Sequence, residues 1–244
     1  MSSETKERIL ASAARLFHEN GFHATSVAAI LSEAGVNSGS LYHFFPGKEA
    51  LLAGVLERYL AALGPSILSP LEESVEDPLE RIFQLLDRYR RGLLGTGFRR
   101  GSPIGDLAPE VGNLSPRIRV LLDAYMDGWT AAVRGWLEEA GDRLPSGLDR
   151  ASLARLVLAV MEGGALQARA AASPEPFDAA VAELRNHLEL LARIAAERPA
   201  TARQAESDRP VEPPPAPPLE HAVQPGGTRR GEAPASGDPA WRAW

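Results

Sequence analysis

Residues 22 to 53, FHATSVAAILSEAGVNSGSLYHFFPGKEALLA, constrain the fold of this chain more than any other stretch, because two short helical patterns meet there across a three-residue turn. In the first pattern Val27, Ile30, Leu31 and Ala34 recur at helical spacing, so one stripe packs inward while Ser32 and Glu33 face water. Thr25 or Ser26 stands where an N-cap belongs, with a hydroxyl to accept an orphan backbone N–H. Gly35 holds the position where the chain must leave a helix with positive φ, and Asn37 or Ser38 caps the helix that follows. That second helix, Ser38 to Phe44, buries Leu41 and one or both of Phe44 and Phe45, leaving Ser38, Ser40, Tyr42 and His43 on its outer face. A supporting helix joined so tightly to a short polar-faced one predicts a helix-turn-helix, with the second helix reading a DNA groove.

Upstream, Thr5 to Phe22 reads as one more helix, with Ile9, Ala13, Leu16 and Phe17 on one face and Asn20-Gly21 as its stop. Together these segments resemble the TetR family of bacterial transcription regulators. Ala34-Gly35-Val36 matches the family's turn, Ser40-Leu41-Tyr42 its Ser/Thr-rich recognition helix, Phe45 its aromatic pair and Lys48 the opening of its next helix. The resemblance implies DNA contacts from Asn37, Ser38, Gly39, Ser40, Tyr42 and His43, with Thr25 or Ser26, Tyr42 and Lys48 fixing the register on the phosphate backbone. Two positions depart from the pattern: Ser38 stands where relatives often carry Lys or another long polar residue, and Phe44 where they carry His or Tyr. Lys6, Arg8, Arg15 and Lys48 face five glutamates within residues 1–50, which argues against tight non-specific DNA binding.

A length of 244 residues accommodates a small reading domain, predicted over residues 1–47, and a larger helical domain over 48–198 with its own core. The whole is expected to be all-α, since no alternating apolar pattern of useful length occurs. Without cysteine there is no disulfide, thiolate nucleophile or thiolate metal site. The absence of an apolar leader or of a stretch approaching a membrane span predicts a cytoplasmic protein. A net charge of −6 argues against a general nucleic-acid coat, which needs a positive excess. Half of the twenty prolines fall after residue 198, so residues 199–244 are expected to be a disordered tail, ending in Trp241 and Trp244.

Proline and glycine punctuate the larger domain. The helix from Lys48 is predicted to stop at Gly64-Pro65. Asp77-Pro78-Leu79-Glu80 opens another that runs to about Gly92, and Arg99 to Gly112 is irregular with at most a short helix. Ser115-Pro116 opens a long helix to Ala140, a further one runs from about Asp149 to Ala172, and the last spans about Phe177 to Arg198. Gly163-Gly164 inside a helical pattern marks a close approach by another helix or a ligand.

The long helix from Ser115 has an unusually aromatic stripe that includes Leu122, Tyr125, Met126 and Trp129. Plain core packing explains any one of these residues. TetR-like proteins, however, place an inducer pocket among the corresponding helices, and the resemblance implies that these four belong to its wall. Phe83, Tyr89, Phe98 and Ile104 are candidates for the facing wall, and Met161, Glu162 and Ala165 for its floor. Glu162 is a carboxylate among apolar neighbours and must be paired, protonated or outside. Gly101 to Glu110 and Glu162 to Arg169 also resemble one subgroup of the family, which usually carries Cys where this chain has Ser102.

The last two helices are more apolar than one internal face requires. The resemblance implies a homodimer through Leu156, Val160, Leu184, Leu188 and Leu191. The five histidines lack metal-ligand spacing and no phosphate-binding loop is present, so no metal, cofactor or catalytic residue is expected. These observations predict a homodimeric repressor released from a palindromic DNA operator by a small lipophilic ligand. The next reading is the same fold controlled by a protein partner, and a helical enzyme is a remote third.

Overall fold

In the computed structural model, which describes residues 2–197, every regular element is helical. The proline-rich segment 199–244, with Trp241 and Trp244, lies outside the described residues.

Helix α1 (Ser2–Asn20) buries Ile9, Ala13 and Phe17 and packs against α2 (Val27–Ala34) and α3 (Ser38–Phe44). Ile30, Ala34 and Leu41 are the inward residues of the two short helices. Phe45 is buried behind them, while Phe44 is partly covered. Gly35 sits at φ 61°, and the two amides of Gly35 and Val36 return to the carbonyls of Ser32 and Leu31. That closure lets α3 start after only three connecting residues.

Helix α4 (Lys48–Leu63) links this head to the body, packing on both α1 and α8. The sequence predicts a stop at Gly64-Pro65, but the helix goes on. Pro65 lacks the N–H a regular turn would use, and the backbone widens into a π turn over Gly64–Leu68, where Ser69 N–H bonds to Gly64 O. A short helix α5 (Ser69–Ser74) follows directly. The continuous stretch of 27 residues has a window of mean hydropathy 1.4, long and apolar enough by composition to cross a membrane, contrary to the sequence expectation. Here Leu51, Leu52, Val55, Leu56 and Leu63 are buried in the protein core.

Asp77 caps α6 (Pro78–Gly95) by accepting the amides of Leu79 and Glu80. A loop with Phe98 at positive φ leads to α7 (Pro103–Val111), then α8 (Pro116–Glu139), α9 (Arg150–Ala171) and α10 (Glu175–Glu197). Of the glycine pair in α9, Gly164 meets the Phe177 ring of α10, 3.1 Å from where a Cβ would stand, whereas Gly163 faces open space.

Candidate functional site

The outer surface of α3 is built by short-range bonds. Ser26 accepts Ala29 N–H at 3.1 Å and starts α2. Asn37 Oδ1 takes both the amide and the hydroxyl of Ser40, at 2.9 and 3.0 Å, and starts α3. Ser38, Gly39, Tyr42 and His43 are exposed, and Tyr42 is 58% accessible despite its aromatic ring. An exposed Tyr and His on a seven-residue helix with Leu41 anchored beneath form a surface shaped for contact with a groove.

Two of the residues assigned to the DNA backbone behave differently. Thr25 is buried, and its hydroxyl donates to Leu16 O and Gly21 O, so it fastens the end of α1 and Ser26 alone is the cap. Lys48 is partly covered: its ammonium lies 4.4 Å from the centre of the Phe22 ring and donates to His23 O at 3.4 Å. Burial, partly opposed by Glu110, lowers its pKa. Some of its reach toward a phosphate is therefore spent on the turn between α1 and α2.

A pocket opens among α4, the π turn, α6, the start of α7 and α8. Tyr59, Ala62, Leu63, Ile67, Leu85, Arg88, Tyr89, Ser102, Pro103, Tyr125 and Trp129 line it. It brings together three predicted residues, Tyr89, Tyr125 and Trp129, whose last two rings meet edge-on at 6.2 Å. The other predictions fall elsewhere. Phe83 lies under the Arg185 guanidinium of α10 at 3.7 Å, and Phe98 sits in the loop after α6. Ile104, Leu122, Met161 and Ala165 are buried core, and Met126 packs on that core from the side. A helical stripe shows which residues turn inward but not which of them border empty space.

Glu162 stands behind the lining. Tyr89 Oη and Ser102 Oγ donate to its two oxygens, each at 3.0 Å, Ser102 N donates to Tyr89 Oη at 3.1 Å, and Gly105 N donates to Ser102 Oγ at 2.8 Å. A Cβ on Gly105 would lie 2.3 Å from Glu162 Oε2, so a side chain there would push the carboxylate out of its place. Burial raises the Glu162 pKa against the pull of those two hydroxyls, and burial likewise holds Tyr89 well above the ordinary phenol and pushes Tyr125 up to about 12. Ser102 is also the N-cap of α7, a role legible in Ser-Pro-Ile-Gly as a cap before a helix-opening proline.

Helix α7 joins the pocket to the head. Ser102 and Pro103 border the pocket, while Glu110 near the other end accepts the backbone amides of Phe22, at 2.8 Å, and His23. Buried His18 of α1 donates through Nε2 to Gly101 O at 3.0 Å. Asp106 accepts Gly101 N–H and pairs with Arg169 of α9. Neither the grip of Glu110 nor the His18 contact has a sequence signal, since those partners lie more than 80 residues apart.

Of the predicted dimer residues, Leu184 and Leu188 are buried within the chain at 3% and 2%, on a helix that packs mainly against α9. Leu156 is 45% exposed, and Val160 and Leu191 are partly covered. The outward apolar residues of this pair are Leu156, the partly covered Val160 and Leu191, the open Gly163, and Leu166, Leu190 and Ile194, the last three outside the predicted set.

A capped helix-turn-helix with an exposed recognition face, carried on an all-helical body, defines a DNA-binding transcription regulator. Comparison with known proteins gives the family. Residues 9–55 match the model of bacterial regulatory proteins of the tetR family, and residues 78–183 match the C-terminal domain of LmrA/YxaF-like transcriptional regulators. An uncharacterised HTH-type transcriptional regulator of Mycobacterium tuberculosis is 34% identical over 189 residues, covering 75% of this chain and 93% of the relative. The HTH-type transcriptional repressor NemR of Escherichia coli is 28% identical, covering 75% and 93%. The crystal structure of reduced E. coli NemR superposes with a TM-score of 0.66 at 29% identity, over 75% of this chain and 96% of that one. The chain belongs to the TetR family of transcriptional regulators.

Proposed function

We propose that this regulator is a repressor that holds a palindromic operator as a homodimer and leaves it when a small lipophilic ligand enters the pocket beside Tyr89, Tyr125 and Trp129. In this reading residues 1–47 are the reading head and 48–198 the ligand-binding and dimerisation body, and the protein works in the cytoplasm where its DNA is. One observation carries the proposal: α4 and α7, which wall the pocket, are also the helices that grip the head. A ligand shifts the equilibrium only by its differential affinity for two arrangements of the chain, and a guest that moves the start of α7 alters the seat of Glu110 on the turn after α1. The NemR relative is named a repressor, which supports the sign of the effect. Recognition falls to Asn37, Ser38, Gly39, Ser40, Tyr42 and His43, with Ser26 and Lys48 at the phosphates.

The exposed face on α9 and α10, where Gly163 leaves room for close approach by a second copy, supports the dimer. Two heads held about 34–36 Å apart, or a multiple of that, engage two half-sites on one side of DNA. A mobility-shift assay with the DNA upstream of the protein's own gene tests the scheme. Wild type is expected to give one dimer shift that a panel of apolar compounds reverses, and Leu156→Glu is expected to be monomeric by light scattering and to lose at least about 100-fold in operator affinity, about 2.7 kcal/mol. A shift that no compound reverses overturns the ligand, and full affinity in a monomeric Leu156→Glu protein overturns the dimer.

A further inference from the structure

The pocket contains one polar group that the protein leaves unanswered. Tyr59 of α4 is 6% exposed, and among the described residues its hydroxyl has no hydrogen-bond partner. Nearly every buried hydroxyl in a native protein is paired, so a site that buries an orphan beside an empty volume points to a partner that arrives from outside. Among the other polar groups of the lining, Tyr89 and Ser102 both donate to Glu162, and Arg88 donates one N–H to Ser66 O at 3.4 Å. Glu162 receives bonds on both oxygens. The lining thus offers a donor in Tyr59 and no carboxylate of its own to accept from a guest.

We infer that the effector is an apolar molecule bearing a neutral carbonyl oxygen, which accepts a hydrogen bond from Tyr59. The inference rests on the ligand-responsive reading proposed above and assigns the chemistry of that same pocket. A carbonyl supplies the missing acceptor without bringing a charge into a wall made of Leu63, Ile67, Leu85 and aromatic rings. A carboxylate would have to shed its hydration there, at a cost that one phenol does not offset. Arg88 also borders the pocket, with one N–H spent on Ser66 O at 3.4 Å, and the diphenylacetate arm of the experiment measures whether its charge reaches a guest.

Benzophenone and diphenylmethane, which share a skeleton and differ by a carbonyl in place of a methylene, form the test, titrated by calorimetry into the full chain and into Tyr59→Phe. Wild type is expected to bind benzophenone about tenfold more tightly, the worth of one net hydrogen bond, and Tyr59→Phe to bind the two alike. Without ligand, Tyr59→Phe is expected to melt about 2–4 °C higher, since the change removes an unsatisfied group and keeps the ring. Equal binding of the two compounds by wild type overturns this inference and leaves the pocket reading standing. An unchanged or lower melting temperature in Tyr59→Phe also overturns it, because the hydroxyl then has a partner already, such as water. Tighter binding of diphenylacetate than of benzophenone overturns the neutral carbonyl. Failure of all three compounds to bind either protein overturns the pocket reading and the inference together.

Discussion

The two short helices of the reading head and the pocket satisfy their polar groups over very different distances along the chain. In the head, Ser26 reaches three residues to Ala29 and Asn37 three residues to Ser40. Around the pocket, Ser102 reaches 60 residues to Glu162 and Tyr89 reaches 73. The caps of α2 and α3 therefore form through local bonds, while the pocket exists only when α4, α6, α7, α8 and the Glu162 of α9 behind them are all in place. A ligand that disturbs the pocket acts on long-range bonds and leaves the recognition helix itself intact. Such a division suits a regulator whose head must be moved without being unfolded.

Three experiments break or sharpen the contrast, beginning with the largest effect. Glu162→Ala strips the acceptor from Tyr89 and Ser102 and is expected to cost about 2–3 kcal/mol of stability in denaturant melts. Glu162→Gln, which keeps an acceptor in place, is expected to recover most of that. Should alanine and glutamine melt alike, the long-range network would not be what holds the pocket. Gly35→Ala places a Cβ at φ 61° and 2.9 Å from Arg8 Nη2, at a cost of about 1–2 kcal/mol, and is expected to weaken operator binding while ligand affinity holds. Equal damage to both functions would show that the head is less self-contained than its bonds imply.

The smallest effect concerns the seam between the two regions. Burial lowers the His18 pKa, outweighing the opposing influences of Gly101 O and Asp106, with Arg100 and Glu19 also nearby. The folded chain therefore binds fewer protons than the unfolded chain once the pH drops below about 6.5, the value for a solvated imidazole. Stability contributed by this histidine is present above that pH and is lost as the pH falls toward the folded value. The melting temperature of wild type should decline more steeply between pH 7 and 5 than that of His18→Gln, which keeps a donor for Gly101 O. Parallel declines would remove His18 from the seam.

Much of the head was legible in sequence because its signals are local. Periodicity placed Ile30, Ala34 and Leu41 inward, and Gly35 announced its own dihedral angle. The choice between Thr25 and Ser26 was not legible, since both are hydroxyls at adjacent positions and only the packing of α1 draws Thr25 inside. Pro65 misled for a related reason: proline forbids a regular helical turn but not a wide one, so α5 went unseen. On α10 the spacing of Leu184, Leu188 and Leu191 marked an apolar surface, yet two of these three turn toward α9 and the outward face passes to Leu190 and Ile194. Tyr59 carried no signal at all, because an orphan hydroxyl is defined by what is missing around it.

The grip of Glu110 has a consequence for how such proteins diversify. Its carboxylate holds the backbone amides of Phe22 and His23, groups that every non-proline residue supplies. The clasp is indifferent to which side chains the turn carries, provided the turn keeps its shape. Residues on the recognition helix are thus free to drift toward a new operator without loosening the head from the body, and the pocket is free to drift toward a new ligand without altering the clasp. A head taken from another regulator with the same turn should seat on this body and answer to this body's ligand.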